Sequence, residues 1–245
     1  FMSTCKTERE CVTEMVQKAE AAGYRNLEEV IEKGESLKPG DKVYANNMGK
    51  CLAMYLIGEE PLEKGMRILG AHIDSPRLDL KQNPLYEDQE LALLDTHYYG
   101  GIKKYQWVTL PMALHGAVAK KNGEVVNVVI GEDANDPVVG ISDLLVHLAA
   151  KQQQKTAAEV IEGENLNVLI GSIPLEAEEE EPVKAQILSV LKEKYDMEEE
   201  DFLSAEFEVV PAGPARDYGL DRSMVMAYGH DDRVCSYPSF MAMLA

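Results

Sequence analysis

Two short stretches carry side chains whose types and spacing could do chemistry. Residues 70–81 read GAHIDSPRLDLK and follow the apolar run MRIL. On an extended chain successive side chains alternate faces, so His72 and Asp74 point the same way while Ile73 points to the interior. A carboxylate beside an imidazole accepts one ring N–H and fixes the tautomer, leaving the other nitrogen's lone pair for a metal or a proton. The competing reading is a polar pair that caps a strand. The second stretch, GHDDRVCSY, sets Asp231 beside Asp232, between a strand-like segment (Met224 to Tyr228) and a helix. Adjacent carboxylates repel unless cations compensate them. A metal pair is one solution, because one carboxylate can bridge two ions through its two oxygens. Helix N-capping favours aspartate at the same place.

The other candidates carry less chemistry. His97, His115, His147 and His230 lack a His-x-Asp context. His147, in LLVHLAA, is expected on an apolar helix face as a core or interface residue. His230 is expected to line the site without ligating, Arg233 to pair with nearby carboxylates, and Trp107 to lie in a core or a dimer interface. The sequence shows no GxSxG elbow, no glycine-rich phosphate loop and no His-paired cysteine. Serine hydrolases and nucleotide enzymes are therefore disfavoured.

The 245 residues allow one large domain or two modest ones, and 45% apolar with 27% charged content is globular. A formal charge of −19 argues against a nucleic-acid partner, which needs clustered Lys and Arg. No apolar run approaches the roughly 18 residues of a membrane span, so no membrane partner is expected. FMSTCKTERECVTEM carries charges where a signal peptide would be apolar. Phe1 ahead of Met2 is read as a cloning remnant. Four cysteines without CxxC spacing are read as reduced thiols in a cytoplasm.

The elements that must position these groups follow from periodicity. Cys11, Val12, Met15, Val16 and Ala19 form a helical stripe that ends at Gly23. NLEEVIEKG predicts a short helix, DKVYANNMGKCLAMYLIG a hairpin and MRILGAHIDS a strand. From about Leu91 the texture turns β-rich: LALLDTHYYGG, YQWVTLPMAL, and HGAVAKKNGEVVNVVIGE with a hairpin at Asn122-Gly123. SDLLVHLAAKQ predicts a helix, LNVLIGSIPL a strand, and the acidic run 176–181 a solvated loop. PVKAQILSVLKEKY predicts a helix and DFLSAEFEVVPAG a strand. In the last helix Val234, Tyr237, Met241 and Leu244 recur at helical spacing. The chain stops inside an apolar run without a cap, so further sequence is expected beyond Ala245.

GAHIDSP and GHDDRVCSY, with YGGIKKYQW and LNVLIGSIPL between them and VVPAGPARDYGLDRSM before the second, resemble the dinuclear-zinc aminopeptidases of the aspartyl aminopeptidase and vacuolar aminopeptidase I family. The likeness is greatest to its bacterial branch and corresponds to the N-terminal half of the family. It implies an α/β fold: a catalytic α/β domain, incomplete here (residues 1–91 and 222–245), interrupted by an inserted β-rich dimerisation domain (92–221). It implies self-association as dimers and, in some members, dodecamers. His72 would be a terminal metal ligand, Asp74 the carboxylate that orients it and Asp231 the bridging ligand. Asp232 would follow the bridge across a cis peptide. Two divalent ions are implied, Zn²⁺ first, with Co²⁺ or Mn²⁺ as alternatives.

The reaction implied is removal of the N-terminal residue from peptides with a free N-terminus, by water activated at the dinuclear metal site. The general-base glutamate, an adjacent glutamate ligand, a further acidic ligand and a final histidine are expected from the family's other half. The 245-residue chain alone is therefore expected to be inactive. The alternative is a non-catalytic oligomerisation or binding module without a complete metal site. In some relatives the inserted domain lends a residue to a partner's active site, and Asp143 to His147 is the segment where that is expected. Preference for an acidic or a neutral first residue stays open.

Overall fold

The computed structural model describes residues 1–176 and 178–245. In chain order the elements are α1 (Glu8–Ala21), β1 (Arg25–Asn26), α2 (Leu27–Glu32), β2 (Lys42–Asn47), β3 (Cys51–Leu56), β4 (Arg77–Asp88), β5 (Leu91–Tyr99), β6 (Met112–Ala119), β7 (Val125–Ile130) and β8 (Val168–Gly171). There follow α3 (Pro182–Tyr195), β9 (Ala205–Pro211), β10 (Arg216–Tyr218), β11 (Met224–Met226) and α4 (His230–Leu244). This is a mixed α/β fold in two compact units: Phe1–Ser75 with Pro214–Ala245, and Pro76–Gly213.

In the first unit, α1 opens with a capping box. The Thr7 hydroxyl accepts from the Glu10 amide at 3.3 Å, and the Glu10 carboxylate accepts from the Thr7 amide at 3.0 Å. Cys11, Val12, Met15 and Ala19 are buried, as the stripe predicts. Met15, Ala19, Tyr24, Tyr44 and Phe240 form the core of this unit. Strands β1, β2 and β3 make one sheet, with β2 and β3 antiparallel across the expected hairpin.

The run MRILGAHIDS is not a strand: residues 65–76 pair with no strand among the described residues, and Met66, Ile68 and Leu69 are exposed. Helix α4 also departs from its pattern. Asp231 and Asp232 lie outside helical dihedrals, and the inward face carries Arg233, Ser236 and Phe240. Tyr237 and Leu244 still pack on the core, while Val234 and Met241 are exposed. The hydrogen bonds of Arg233, described below, set the helix's rotation instead of its apolar stripe.

The second unit is an antiparallel six-stranded sheet in the order β7-β6-β9-β4-β5-β8. One face buries Leu78, Leu94, Leu114, Val118, Val128 and Val209 in the core. Strand alternation puts Asp79, His97, His115 and Glu208 on the other face, where register aligns them across four strands. The β6–β7 loop has Gly123 at φ +86, a left-handed position that glycine meets without strain. The Glu87 carboxylate, from β4, accepts from the Val183 and Lys184 amides and satisfies the N-terminus of α3.

The expected boundaries at 91 and 221 move to 75 and 213. Residues 77–88 pair with 91–99 in one ladder, and the β10–β11 hairpin belongs with the first unit. SDLLVHLAAKQ forms turns instead of a helix. Leu144, Leu145, Val146 and Leu148 are all exposed there, so the amphipathic pattern lacks the packing surface that short helices depend on. YQWVTL likewise holds a single helical turn, with strand only from Met112. Of the acidic run 176–181, residue 177 lies outside the described residues. No helix among the described residues is long and apolar enough to cross a membrane.

Candidate metal centre

His72 lies on the irregular segment before Ser75, and Asp231 and Asp232 form the non-helical turn at the start of α4. The first unit brings them together. His72 Nδ1 is 3.1 Å from Asp74 Oδ1 and 3.0 Å from the Asp74 carbonyl oxygen. Both oxygens only accept, so Nδ1 carries the proton and donates, and the Nε2 lone pair of the neutral ring faces the other way. It faces Asp231 Oδ1 at 3.4 Å and Asp232 Oδ2 at 3.7 Å. The three ligand atoms lie within 4.8 Å of one another, and no other such group occurs among the described residues. The Ser75 hydroxyl donates to the Asp231 carbonyl and holds the turn from below. The Asp231–Asp232 peptide is cis.

Electron-rich atoms aimed at one another without a hydrogen between them repel, and a cation relieves the repulsion. Burial acts on His72 by lowering its pKa. The hydrogen bonds and charge of Asp74, with the charge of Asp232, outweigh that, and the net direction is upward. A metal would take the place of that proton. One imidazole and two carboxylates are a zinc donor set, and tetrahedral ligands at about 2.0–2.1 Å from zinc stand about 3.3–3.4 Å apart. The 3.4 Å separation matches that spacing and the 3.7 Å one is a few tenths of an ångström longer. The site is open, with His72 and Asp231 side chains 51% and 70% exposed.

Asp232 is the group that sequence reasoning left out of the donor set, having placed it only as the successor of a bridge. The doubled aspartate was the available signal. Among the described residues no carboxylate pairs with Arg233, which is buried with its guanidinium on the Cys11 sulfur and two backbone carbonyls. Cys235 hydrogen-bonds Asp232, which together with burial pushes its thiol pKa up. His230 Nε2 turns away to the Val225 carbonyl at 3.0 Å. In the second unit, His97 is exposed on β5, His115 is buried against Glu132 at 3.1 Å, and Trp107 packs on the core. His147 is exposed, not on a packed helix face.

The family model described as "Aminopeptidase I zinc metalloprotease (M18)" matches residues 1–245. The chain belongs to the M18 family. An M18 relative from Clostridium acetobutylicum, named as a probable M18 family aminopeptidase 1, is 69% identical over the whole chain, which covers 53% of that relative. The crystal structure of aminopeptidase I from the same organism superposes with a TM-score of 0.90 at 69% identity, covering 99% of this chain and 54% of that one. The M18 aminopeptidase of Thermotoga maritima superposes at 0.93 with 44% identity, covering 100% of this chain and 53% of that one. The chain thus spans about half the length of the M18 relatives it matches.

Proposed function

We propose that the chain supplies the His72–Asp231 part of the metal centre of a zinc-dependent aminopeptidase, one that removes the first residue of peptides with a free N-terminus. The observation that carries this reading is the convergence of one ligand atom each from His72, Asp231 and Asp232 to within 4.8 Å of one another. Membership of a family of zinc metalloproteases supports it. When bound, a pair of zinc ions supplies Lewis acidity toward water and toward the scissile carbonyl.

The chain's own residues prepare that centre. Asp74 fixes the His72 tautomer and so keeps Nε2 available as a lone-pair donor. Asp231 would hold metal through its carboxylate as the proposed bridging ligand, and Asp232 would add negative charge beside it. Ser75 restrains the backbone on which both carboxylates stand. The general base is expected from the half of the family sequence that this chain does not span, so the 245-residue chain alone is inactive. Self-association is assigned to the β-rich unit, Pro76–Gly213, and four free thiols suit a reducing cytoplasm. A surface of net charge −19 suits neither nucleic acid nor an anionic membrane.

The test is zinc stoichiometry together with amino-acid release from unblocked and N-acetylated peptides. Both are measured on the chain and on the complete open reading frame that encodes it. Two ions per complete protein, chelator-sensitive release from unblocked peptides only, and loss of both in His72→Ala are expected. Release that persists in His72→Ala overturns the ligand assignment. Zinc-free protein that still oligomerises supports the alternative, a non-catalytic assembly module.

A further inference from the structure

Behind the metal centre lies a charged group with an unusual counter-group. Arg233 is 1% exposed and directly follows Asp231–Asp232. A buried guanidinium needs a compensating charge or full hydrogen bonding, yet no carboxylate pairs with it among the described residues. Its Nε donates to Cys11 Sγ at 3.3 Å, and its Nη2 donates to the Lys6 carbonyl at 2.9 Å and the Ile73 carbonyl at 3.4 Å. The Tyr228 ring lies 5.6 Å from Cζ. Cys11 is itself fully buried, and the thiol of Cys5, also buried, donates to the carbonyl of the neighbouring Glu10 at 3.7 Å.

These contacts join the pieces that carry the ligands. Ile73 sits between His72 and Asp74, so a donor on its carbonyl holds the backbone from which both side chains project. The same guanidinium is covalently one residue from Asp232. We infer that Arg233 is a positioning residue for the metal centre: from the buried side it fastens the His72–Asp74 segment to the Asp231–Asp232 turn, with the Cys11 sulfur as its counter-group. The inference rests on the metal-centre reading given above.

The electrostatics of the thiol pair agree with this geometry. The hydrogen bond from Cys5 lowers the Cys11 pKa; burial opposes it, and the Arg233 charge and hydrogen bond lower it further, for a net downward shift against a small opposing effect of Glu10. Cys5 moves the other way, raised first by its hydrogen bond with Cys11 and then by burial, and stays protonated. The two shifts run in opposite directions, so when the pair ionises it does so first at Cys11, the sulfur that faces the guanidinium. Lysine cannot reproduce this arrangement, since its single ammonium lacks the planar fork that reaches Cys11, Lys6 and Ile73 together.

The test uses zinc alone, titrated against a chromophoric chelator into the metal-free complete protein encoded by the open reading frame that contains this chain, as the native form and as Arg233→Lys, Arg233→Met and Cys11→Ser. The thiolate ultraviolet band and far-ultraviolet circular dichroism are recorded on the same samples. Groups that orient metal ligands typically contribute about 10–100-fold in metal affinity. Arg233→Lys should keep the fold and the thiolate band but weaken zinc binding by at least about tenfold. Cys11→Ser should abolish the band at neutral pH and weaken zinc binding several-fold.

Zinc affinity within about twofold of native in a folded Arg233→Lys, or in Arg233→Met, overturns the positioning role. Should Arg233→Met not fold, Arg233→Lys and Cys11→Ser decide the matter. A native protein without the Cys11-dependent band at neutral pH overturns the counter-group assignment. A complete native protein that binds no zinc, with the band intact, overturns the metal-centre reading instead.

Discussion

Glycine at position 229 offers a perturbation whose size can be worked from the coordinates. Its φ is +85, and a Cβ built there would stand 1.6 Å from Arg233 Nη1 and 2.7 Å from Cζ. Ordinary contact begins near 3.4 Å, so Gly229→Ala must push the guanidinium away by 3.4 − 1.6 = 1.8 Å. Hydrogen bonds of 2.9, 3.3 and 3.4 Å do not survive such a shift. Two costs follow. Left-handed backbone for alanine costs roughly 1–2 kcal/mol, and a buried charge deprived of its partners costs about 3–5 kcal/mol.

Gly23 separates the two. Its φ is +87, it lies in the same unit, and a Cβ there meets nothing within 4 Å. Gly23→Ala therefore carries the backbone cost alone, and Gly229→Ala should exceed it by about 3–5 kcal/mol. Amide hydrogen exchange along α1, whose Cys11 accepts from Arg233, reads this unit directly. Opening there should be on the order of 100-fold or more faster in Gly229→Ala than in Gly23→Ala, at one decade per 1.4 kcal/mol. Equal exchange in the two variants would refute the buried-clamp account of Arg233.

Three further predictions follow from other parts of the chain. Asp74→Asn keeps the shape but removes the charge that fixes the His72 tautomer, and should raise the zinc dissociation constant about 10–100-fold by chelator competition, with unchanged affinity counting against the tautomer argument. Gly116→Ala would place its Cβ 2.2 Å from the Phe207 ring and 2.9 Å from the Glu206 carbonyl. It should destabilise the six-stranded sheet by about 1–3 kcal/mol, read from the denaturant midpoint of Trp107 fluorescence, the chain's one tryptophan. The Asp196 carboxyl is held at about 2, below its ordinary 3.8, by hydrogen bonds from Lys192 and Lys120. Its folded pKa is depressed, so its contribution is complete above about pH 3.8 and disappears as the pH falls through 2. Asp196→Asn should flatten the acid limb of the Trp107 unfolding profile in that window, and an unchanged limb would show that the pair is fully screened.

The parts of this fold that were legible in the sequence are those whose partner lies within the same short stretch. The α1 stripe from Cys11 to Ala19, the hairpin at Asn122-Gly123 and the helix from Pro182 to Tyr195 each bury a face that periodicity marks. Where the expected element failed, the missing term was a packing surface. MRILGAHIDS has strand residues but pairs with no strand among the described residues, and SDLLVHLAAKQ has a helical pattern whose Leu144, Leu145, Val146 and Leu148 are exposed. The boundary shift from 91 to 75 has the same origin: composition changes at Leu91, but pairing begins at Arg77, and hydrogen-bond ladders decide membership of a sheet.

At the candidate centre the division falls between donors and their supports. His72, Asp74 and Asp231 announce themselves because imidazole and carboxylate side chains at close spacing have few other uses, and local geometry of an extended chain already aims His72 and Asp74 together. Asp232 and Arg233 do not, since their roles depend on the backbone direction through the turn after Gly229. With Asp231 and Asp232 outside helical dihedrals, Asp232 Oδ2 comes round to face His72 Nε2, and the next side chain is sent inward to the Cys11 sulfur. Helical dihedrals from Asp231 onward would set consecutive side chains about 100° apart around one axis. The candidate donor set and the proposed clamp behind it thus both depend on one non-helical turn, and a pattern read at a single period cannot contain either.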